Sequence, residues 1–316
     1  MILITGGTGF VGRVLIRQLR EHGHAARLLL RPSARTPNLP RNQTLEVMIS
    51  RLDDERGLQA ALSGVKTVYH LVGAERQGAQ ANLLETDIRG TQILVQAART
   101  AGVERIFALS HLGADRASAY PLLKTKAIVE EHLRSSKVDF TILRTALLFG
   151  PGDRFTTAVA QIGSILPFFL IPGSGDSLIQ PLWVEDLVTC LVWALDREDT
   201  HNQTYELGGP EVFPFRHVVQ MILEAVGRER LLINMRPPYL RGLTMFLASI
   251  FPALPVSTFW LDYLATSRTT FLETIPREFG LLPSRFGSRL DYLRNVNWRA
   301  QMVRSLFRRE RSNGRG

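Results

Sequence analysis

The run GGTGFVG at residues 6–12 constrains this chain more than any other feature. It follows a short apolar run, Ile2–Thr5, and opens a segment in which Val11, Val14, Leu15 and Leu19 recur at helical spacing. A strand that turns through glycines into an amphipathic helix is the context that gives a GxxGxxG pattern meaning. Gly6 allows the tight turn, Gly9 lets backbone approach a pyrophosphate, and Gly12 lets helix and strand pack closely. The first turn of such a helix offers unpaired N–H groups and a partial positive charge to phosphate oxygens. Thr8, Phe10 and Val11 share that loop and helix start, so they join the glycines as candidate dinucleotide contacts. Gly23 is expected to end the helix.

Further apolar runs follow at Ala26–Arg31, Leu45–Ile49, Thr67–Val72, Ile106–Ser110, Phe140–Arg144 and Thr204–Leu207, with helical patterns between them. Strands alternating with helices imply βαβ units and a parallel sheet covered on both faces. The fold class expected is α/β: a Rossmann-type doubly wound parallel sheet with a smaller C-terminal cap. The rhythm changes after Gly150, where PGD and then IPGSGDS read as loops around a helix. The expected division is a core over 1–150 to which 180–208 returns, a cap over 151–179 and 209–296, and a basic tail over 297–316.

The second strand ends at Arg31, about 20 residues past the glycines, where an acidic residue suits the ribose of NAD and an arginine suits the 2′-phosphate of NADP. Arg31, with Arg35 nearby, therefore favours NADP(H) over NAD(H), and Arg13 is within reach of the same phosphate. Asp53, after the third strand, either meets the adenine amino group or caps the next helix.

TGGTGFVG, YHLVG, Tyr120-Pro-Leu-Leu-Lys124, LRTALLFGPGD and IQPLWVEDL together resemble the short-chain dehydrogenase/reductase superfamily in its extended and atypical branches. The details are most similar to the group that includes the nucleotide-binding accessory subunit of respiratory complex I and its bacterial relatives. The resemblance covers residues 1–210 and extends, more weakly, to the segment from Asp262 to Leu293. It implies a sheet of about seven strands, with Leu71, Val72 and Gly73 lining the adenosine and the backbone at Ala146 and Leu147 facing the nicotinamide. It makes Tyr120 and Lys124 the YxxxK pair: the lysine bonds the nicotinamide ribose, and the tyrosine exchanges a proton with an alcohol or carbonyl. Four residues apart on a helix would put both on one face. Active relatives carry a serine or threonine just after the fifth strand. Here that position aligns with Leu112; Ser110 is the hydroxyl available nearby, and His111 stands between them. Asp87 occupies a place where many relatives have asparagine. Two readings stay open: an oxidoreductase or epimerase acting on a carbonyl, sugar or quinone-like substrate, and a non-catalytic dinucleotide-binding or redox-sensing subunit that docks on a membrane respiratory complex.

Composition limits the other classes. The single cysteine, Cys190, lies in the apolar run LVTCLVWAL and reads as a buried small hydrophobe; no disulfide framework or metal site is expected. The net charge of +9 is carried by arginine, since only four of the 38 basic residues are lysines. It suits either an anionic partner or a solvated tail around Arg304, Arg308, Arg309, Arg311 and Arg315. With no zinc pattern or recognition motif, nucleic acid is not expected as a partner. The chain opens on MILITGG with no charged region ahead of it, so no secretory leader is expected. The apolar stretch Leu243–Val256 is interrupted by prolines and too short to span a bilayer. The expected location is cytoplasmic, with peripheral association on the inner face of the membrane added by the resemblance.

Overall fold

The computed structural model describes residues 1–33, 45–74, 81–250 and 258–307, with backbone alone at 258–260 and 305–307. In chain order the first elements are β1 (Ile2–Thr5), α1 (Phe10–Glu21), β2 (Ala26–Leu30), β3 (Leu45–Ile49), α2 (Glu55–Leu62), β4 (Thr67–His70), α3 (Gly90–Thr100), β5 (Arg105–His111), α4 (Pro121–Arg134) and β6 (Asp139–Thr145). A π-helical turn, Leu84–Arg89, leads into α3. There follow β7 (Leu148–Phe149), α5 (Phe155–Ile165), β8 (Phe168–Pro172), β9 (Leu178–Ile179), β10 (Leu182–Trp183), α6 (Val184–Trp193), β11 (Gln203–Leu207), β12 (Phe213–Pro214) and α7 (Phe215–Ala225). The last are β13 (Leu231–Met235), α8 (Pro237–Ile250), α9 (Thr258–Leu264), α10 (Thr274–Phe279) and α11 (Trp298–Phe307).

The first unit comprises Met1–Leu148, Gln180–Glu211 and Arg268–Arg285. Its core is a 7-stranded sheet in the order β11-β6-β5-β4-β1-β2-β3, parallel throughout. The central strands are apolar on both faces because both faces are covered. Leu3, Val68, Ile106 and Ile142 point into one apolar layer with Leu58, Leu62 and Leu94 of α2 and α3. Their chain neighbours Ile4, Tyr69, Phe107 and Leu143 point into the other, with Leu15 and Leu19 of α1 and Leu187 and Leu191 of α6. This is the period of two expected of a strand. Each large apolar side chain removed from water in these layers contributes about 1.5–3 kcal/mol. Strand order reverses between β1 and β4, and that crevice, beyond the carboxyl ends of the strands, is where such sheets take ligands.

The second unit comprises Phe149–Ile179, Val212–Ser267 and Phe286–Gly316. In it β8 pairs with β13, β9 pairs with β12, and α5 packs on α7 and α11. Two features differ from the division expected from sequence. Residues 268–285, expected in the cap, belong to the core unit, because Ile275 and Phe279 of α10 join the apolar layer that holds Leu207. Residues 297–307 are not a solvated tail: α11 buries Trp298 and Met302. Cys190 is buried, and burial pushes its thiol well above the usual range.

Candidate dinucleotide site

The loop between β1 and α1 is built around its glycines. Gly6 has φ of +76°, in the region that favours glycine. A Cβ on Gly6 would meet the backbone of Leu71 at 2.6 Å and Val72 at 2.9 Å, so the loop lies directly against the chain leaving β4. A Cβ on Gly12 would meet the Gly7 Cα at 2.5 Å and the Gly6 carbonyl oxygen at 2.6 Å, so helix and loop touch backbone to backbone. The turn is closed by the Gly9 N–H donating to the Gly6 carbonyl at 2.9 Å. Gly9 is the extended N-cap of α1 and carries no side chain to satisfy the first N–H groups of the helix. Thr8 and Arg13 are exposed, and Phe10 and Val11 are half-buried. Leu71, Val72 and Gly73 are half-buried beside the loop, with the Leu71 N–H donating to the Thr5 carbonyl at 3.0 Å. This cradle fits a dinucleotide pyrophosphate: free N–H groups, a helix N-terminus and backbone that only glycine allows.

Arg31 is exposed just beyond β2 and forms no ion pair with another described residue. Arg35 lies outside the described residues. Asp53 is held by Arg51 through two hydrogen bonds of 2.8 Å, and those bonds lower its carboxyl below the ordinary range. The helix-cap alternative for Asp53 falls instead to Asp54, whose carboxylate accepts the Gly57 N–H of α2 at 3.1 Å.

Of the expected pair Tyr120 and Lys124, only Lys124 lies inside the helix. Tyr120 is the N-cap of α4, with ψ of 117°, because the Pro121 ring pushes the residue before it out of the helical region. Tyr120 is half-buried and Lys124 is exposed. The buried lysine is Lys126, two residues on: its Nζ donates to Asp87 Oδ1 at 3.1 Å, with both side chains nearly free of solvent. Asp87 in turn accepts the Ala74 N–H at 2.8 Å, so the pair ties α4 and the π-helical turn to the chain leaving β4. Lys126 lies outside the YxxxK spacing, so no motif in the sequence singles it out.

Leu112 is buried; its N–H donates to the Thr145 carbonyl at 3.1 Å, and its own carbonyl accepts Arg268 at 3.1 Å. Ser110 is buried on β5 beside the Glu130 carboxylate. Burial pushes that carboxyl up, but hydrogen bonds from Arg144 and Arg134 outweigh it and leave the group below its usual range. His111 ends β5, half-buried, with its carbonyl accepting the Ala114 N–H at 3.1 Å. Ala146 and Leu147 are buried, their backbones bonded to Leu207 and Leu182 at 2.8 Å each. One residue that sequence did not single out is His70, fully buried at the end of β4. Its Nδ1 meets the Thr5 hydroxyl at 2.8 Å and its Nε2 the Thr91 hydroxyl at 3.0 Å. A lone histidine in a strand carries no sequence signal that distinguishes it from ordinary core.

A doubly wound parallel sheet with a fitted glycine loop at its switch point defines a dinucleotide-binding Rossmann protein. Residues 6–162 match the NAD(P)H-binding family, and the match bears out the expected likeness to NAD(P)-binding proteins of the short-chain dehydrogenase/reductase kind. It is 28% identical over 232 residues to the mitochondrial NADH dehydrogenase (ubiquinone) 1 alpha subcomplex subunit 9 of Arabidopsis thaliana, an alignment covering 71% of this chain and 57% of that protein. The chain thus spans less than two thirds of the length of that relative. It is 25% identical over 318 residues to the 2-alkyl-3-oxoalkanoate reductase of Stenotrophomonas maltophilia, covering 89% of this chain and 94% of that one. The solved triphenylmethane reductase of Citrobacter sp. complexed with NADP(H) shares the fold, with a TM-score of 0.73 at 19% identity over 92% of this chain and 99% of that one.

Proposed function

We propose that this protein is an NADP(H)-dependent oxidoreductase acting on a carbonyl or quinone-like substrate. The observation that carries the reading is the glycine loop, pressed against the Leu71–Val72 backbone so closely that no Cβ fits at Gly6. When bound, the reduced dinucleotide supplies a hydride to an electrophilic carbon. The N–H groups at the start of α1 hold the pyrophosphate. Arg31, with Arg35 and Arg13, takes the 2′-phosphate, and Asp53 stands on the adenine side. Leu71, Val72 and Gly73 line the adenosine, and the backbone at Ala146 and Leu147 faces the nicotinamide. Tyr120 gives a proton to the substrate oxygen. Lys126, not Lys124, supplies the fixed positive charge beside the ribose, because Asp87 holds it there. Two reductases among the similar proteins, one of them solved with NADP(H), support this reading.

Leu112 favours a second reading. An apolar side chain at the hydroxyl position cannot orient a substrate oxygen, and Ser110 is buried on β5. The chain would then hold the dinucleotide without turning it over, as an accessory subunit docked peripherally on the inner face of a membrane at a respiratory complex. The likeness to a subunit of NADH dehydrogenase supports this alternative.

Mass spectrometry of the nucleotide that co-purifies with the chain, followed by NADPH oxidation against a panel of carbonyls and quinones, separates the two. The enzyme reading expects NADP(H), turnover with at least one substrate, and a loss in kcat of about tenfold or more for Tyr120→Phe. A tightly held nucleotide with no turnover, and a Tyr120→Phe variant that behaves as wild type while Gly9→Val loses the nucleotide, would select the accessory reading.

A further inference from the structure

The second unit contains a helix with two apolar faces. Along α8, Leu240, Thr244 and Leu247 recur at i, i+4 and i+7, and Leu240 and Thr244 are buried where α8 packs on α9 and β8. Tyr239, Phe246 and Ile250 recur at i, i+7 and i+11, which places them within about 40° of one another around the axis. They are 68%, 62% and 52% exposed. Met245 beside them is 58% exposed, and Leu231 and Ile233 of the preceding strand are exposed as well. An apolar face on the outer side of a helix belongs against a partner or in a lipid environment, not in water.

The charge of the sequence that carries this face has one sign. No acidic residue occurs between Glu229 and Asp262, a stretch that holds Arg230, Arg236 and Arg241. Arg241 is paired with the buried Asp262, which fixes α8 to α9; Arg236 stands just ahead of the helix. The residues of the second unit include fourteen arginines, no lysine and seven acidic side chains, so most of the net +9 of the chain resides there. A second copy of the chain would bring the same cationic unit to the face and be repelled. Anionic headgroups over hydrocarbon complement both the charge and the apolar surface. A tyrosine at the start of the helix also suits an interface where the ring is dry and the hydroxyl wet. The helix is about 21 Å long, short of the about 30 Å of a hydrocarbon core. No helix among the described residues is long and apolar enough to cross a membrane.

We propose that α8 is an interfacial helix that lays its Tyr239–Phe246–Ile250 face on an anionic lipid surface. The inference is independent of whether the dinucleotide site turns over. The test is flotation of the full chain with vesicles of phosphatidylcholine alone and of phosphatidylcholine with about one third phosphatidylglycerol, at low and high salt. The expected result is binding to the anionic vesicles at least about tenfold tighter than to the neutral ones, weakened by salt. The double variant Phe246→Glu, Ile250→Glu should lose that binding about tenfold while its melting temperature and dinucleotide affinity stay those of the wild type, since both side chains are exposed. Flotation of the variant equal to that of the wild type would overturn the proposal. So would a wild type that ignores anionic vesicles but forms a dimer that the variant abolishes, because a second copy would then cover the face.

Discussion

At the scale of single residues, the buried polar groups around the end of β4 make the sharpest predictions. His70 is enclosed and bonded to two hydroxyls, and burial, reinforced by the nearby Lys126 charge, pushes its imidazole down to about 4 from 6.5. The folded protein therefore keeps His70 neutral where the unfolded chain protonates it. Its contribution to stability is complete above pH 6.5 and is lost progressively as pH falls to about 4. The loss amounts to about 3 kcal/mol across that window. Denaturant unfolding of the wild type and His70→Gln between neutral and mildly acid pH checks this: the variant should show a pH slope smaller by one proton. Equal slopes would refute it. Lys126 offers a second check. Lys126→Met strands Asp87 in a dry site and should destabilise the protein by about 3–5 kcal/mol, whereas Lys124→Met should stay within about 0.5 kcal/mol. Replacing both partners, Lys126→Met with Asp87→Leu, should recover much of the loss. None of this could be read from residue types alone. A histidine and an aspartate bury themselves only because partners distant in sequence, Thr91 and Lys126, arrive from other elements.

At the scale of elements, the chain was most legible where one local rule governs the geometry. The β1 strand, its glycine turn and α1 follow from patterning and from φ requirements that only glycine meets, and the structure has them where the sequence put them. The long strands were legible because both faces are apolar; their ends shifted by one or two residues, since polar ends such as Arg105 and Asp139 still pair in the ladder. The two-residue strands of the second unit carry no periodicity to read. Tyr120 stands at the N-cap of α4 and not inside the helix, because the proline that follows it excludes the helical conformation there. The glycine loop also yields a contrast between two substitutions. Gly12→Ala puts a Cβ 2.5 Å from Gly7 Cα, so the loop must shift. A cost of about 1–3 kcal/mol and a loss of dinucleotide affinity of at least about tenfold are expected. Gly23→Ala, at φ of +78° but with nothing within 4 Å, meets only the left-handed penalty of about 1–2 kcal/mol and should leave affinity unchanged. Titration of both variants with NADPH distinguishes them; equal affinities would mean that the loop is not where the pyrophosphate binds.

At the scale of the molecule, the chain crosses between its two units five times, and sequence revealed only part of that path. The return at 180–211 announces itself by an apolar helix and strand. The return at 268–285 does not, because it joins the core through a six-residue helix whose Ile275 and Phe279 are too few to show a period. Cofactor choice also belongs to this scale, since binding to the folded chain alone raises the stability of the whole first unit by mass action. With NADPH at about one hundred times its Kd, the gain is about 2.7 kcal/mol. If Arg31 meets the 2′-phosphate, its charge-assisted hydrogen bond is worth about 1.5–3 kcal/mol, and Arg31→Glu should weaken NADPH at least about tenfold. The same NADPH concentration would then stabilise the variant by no more than about 1.4 kcal/mol, while NADH, which has no phosphate there, would lose nothing. Thermal unfolding of both proteins with each nucleotide measures this. A wild type shifted more by NADH than by NADPH would assign Arg31 to solvent and the site to NAD(H).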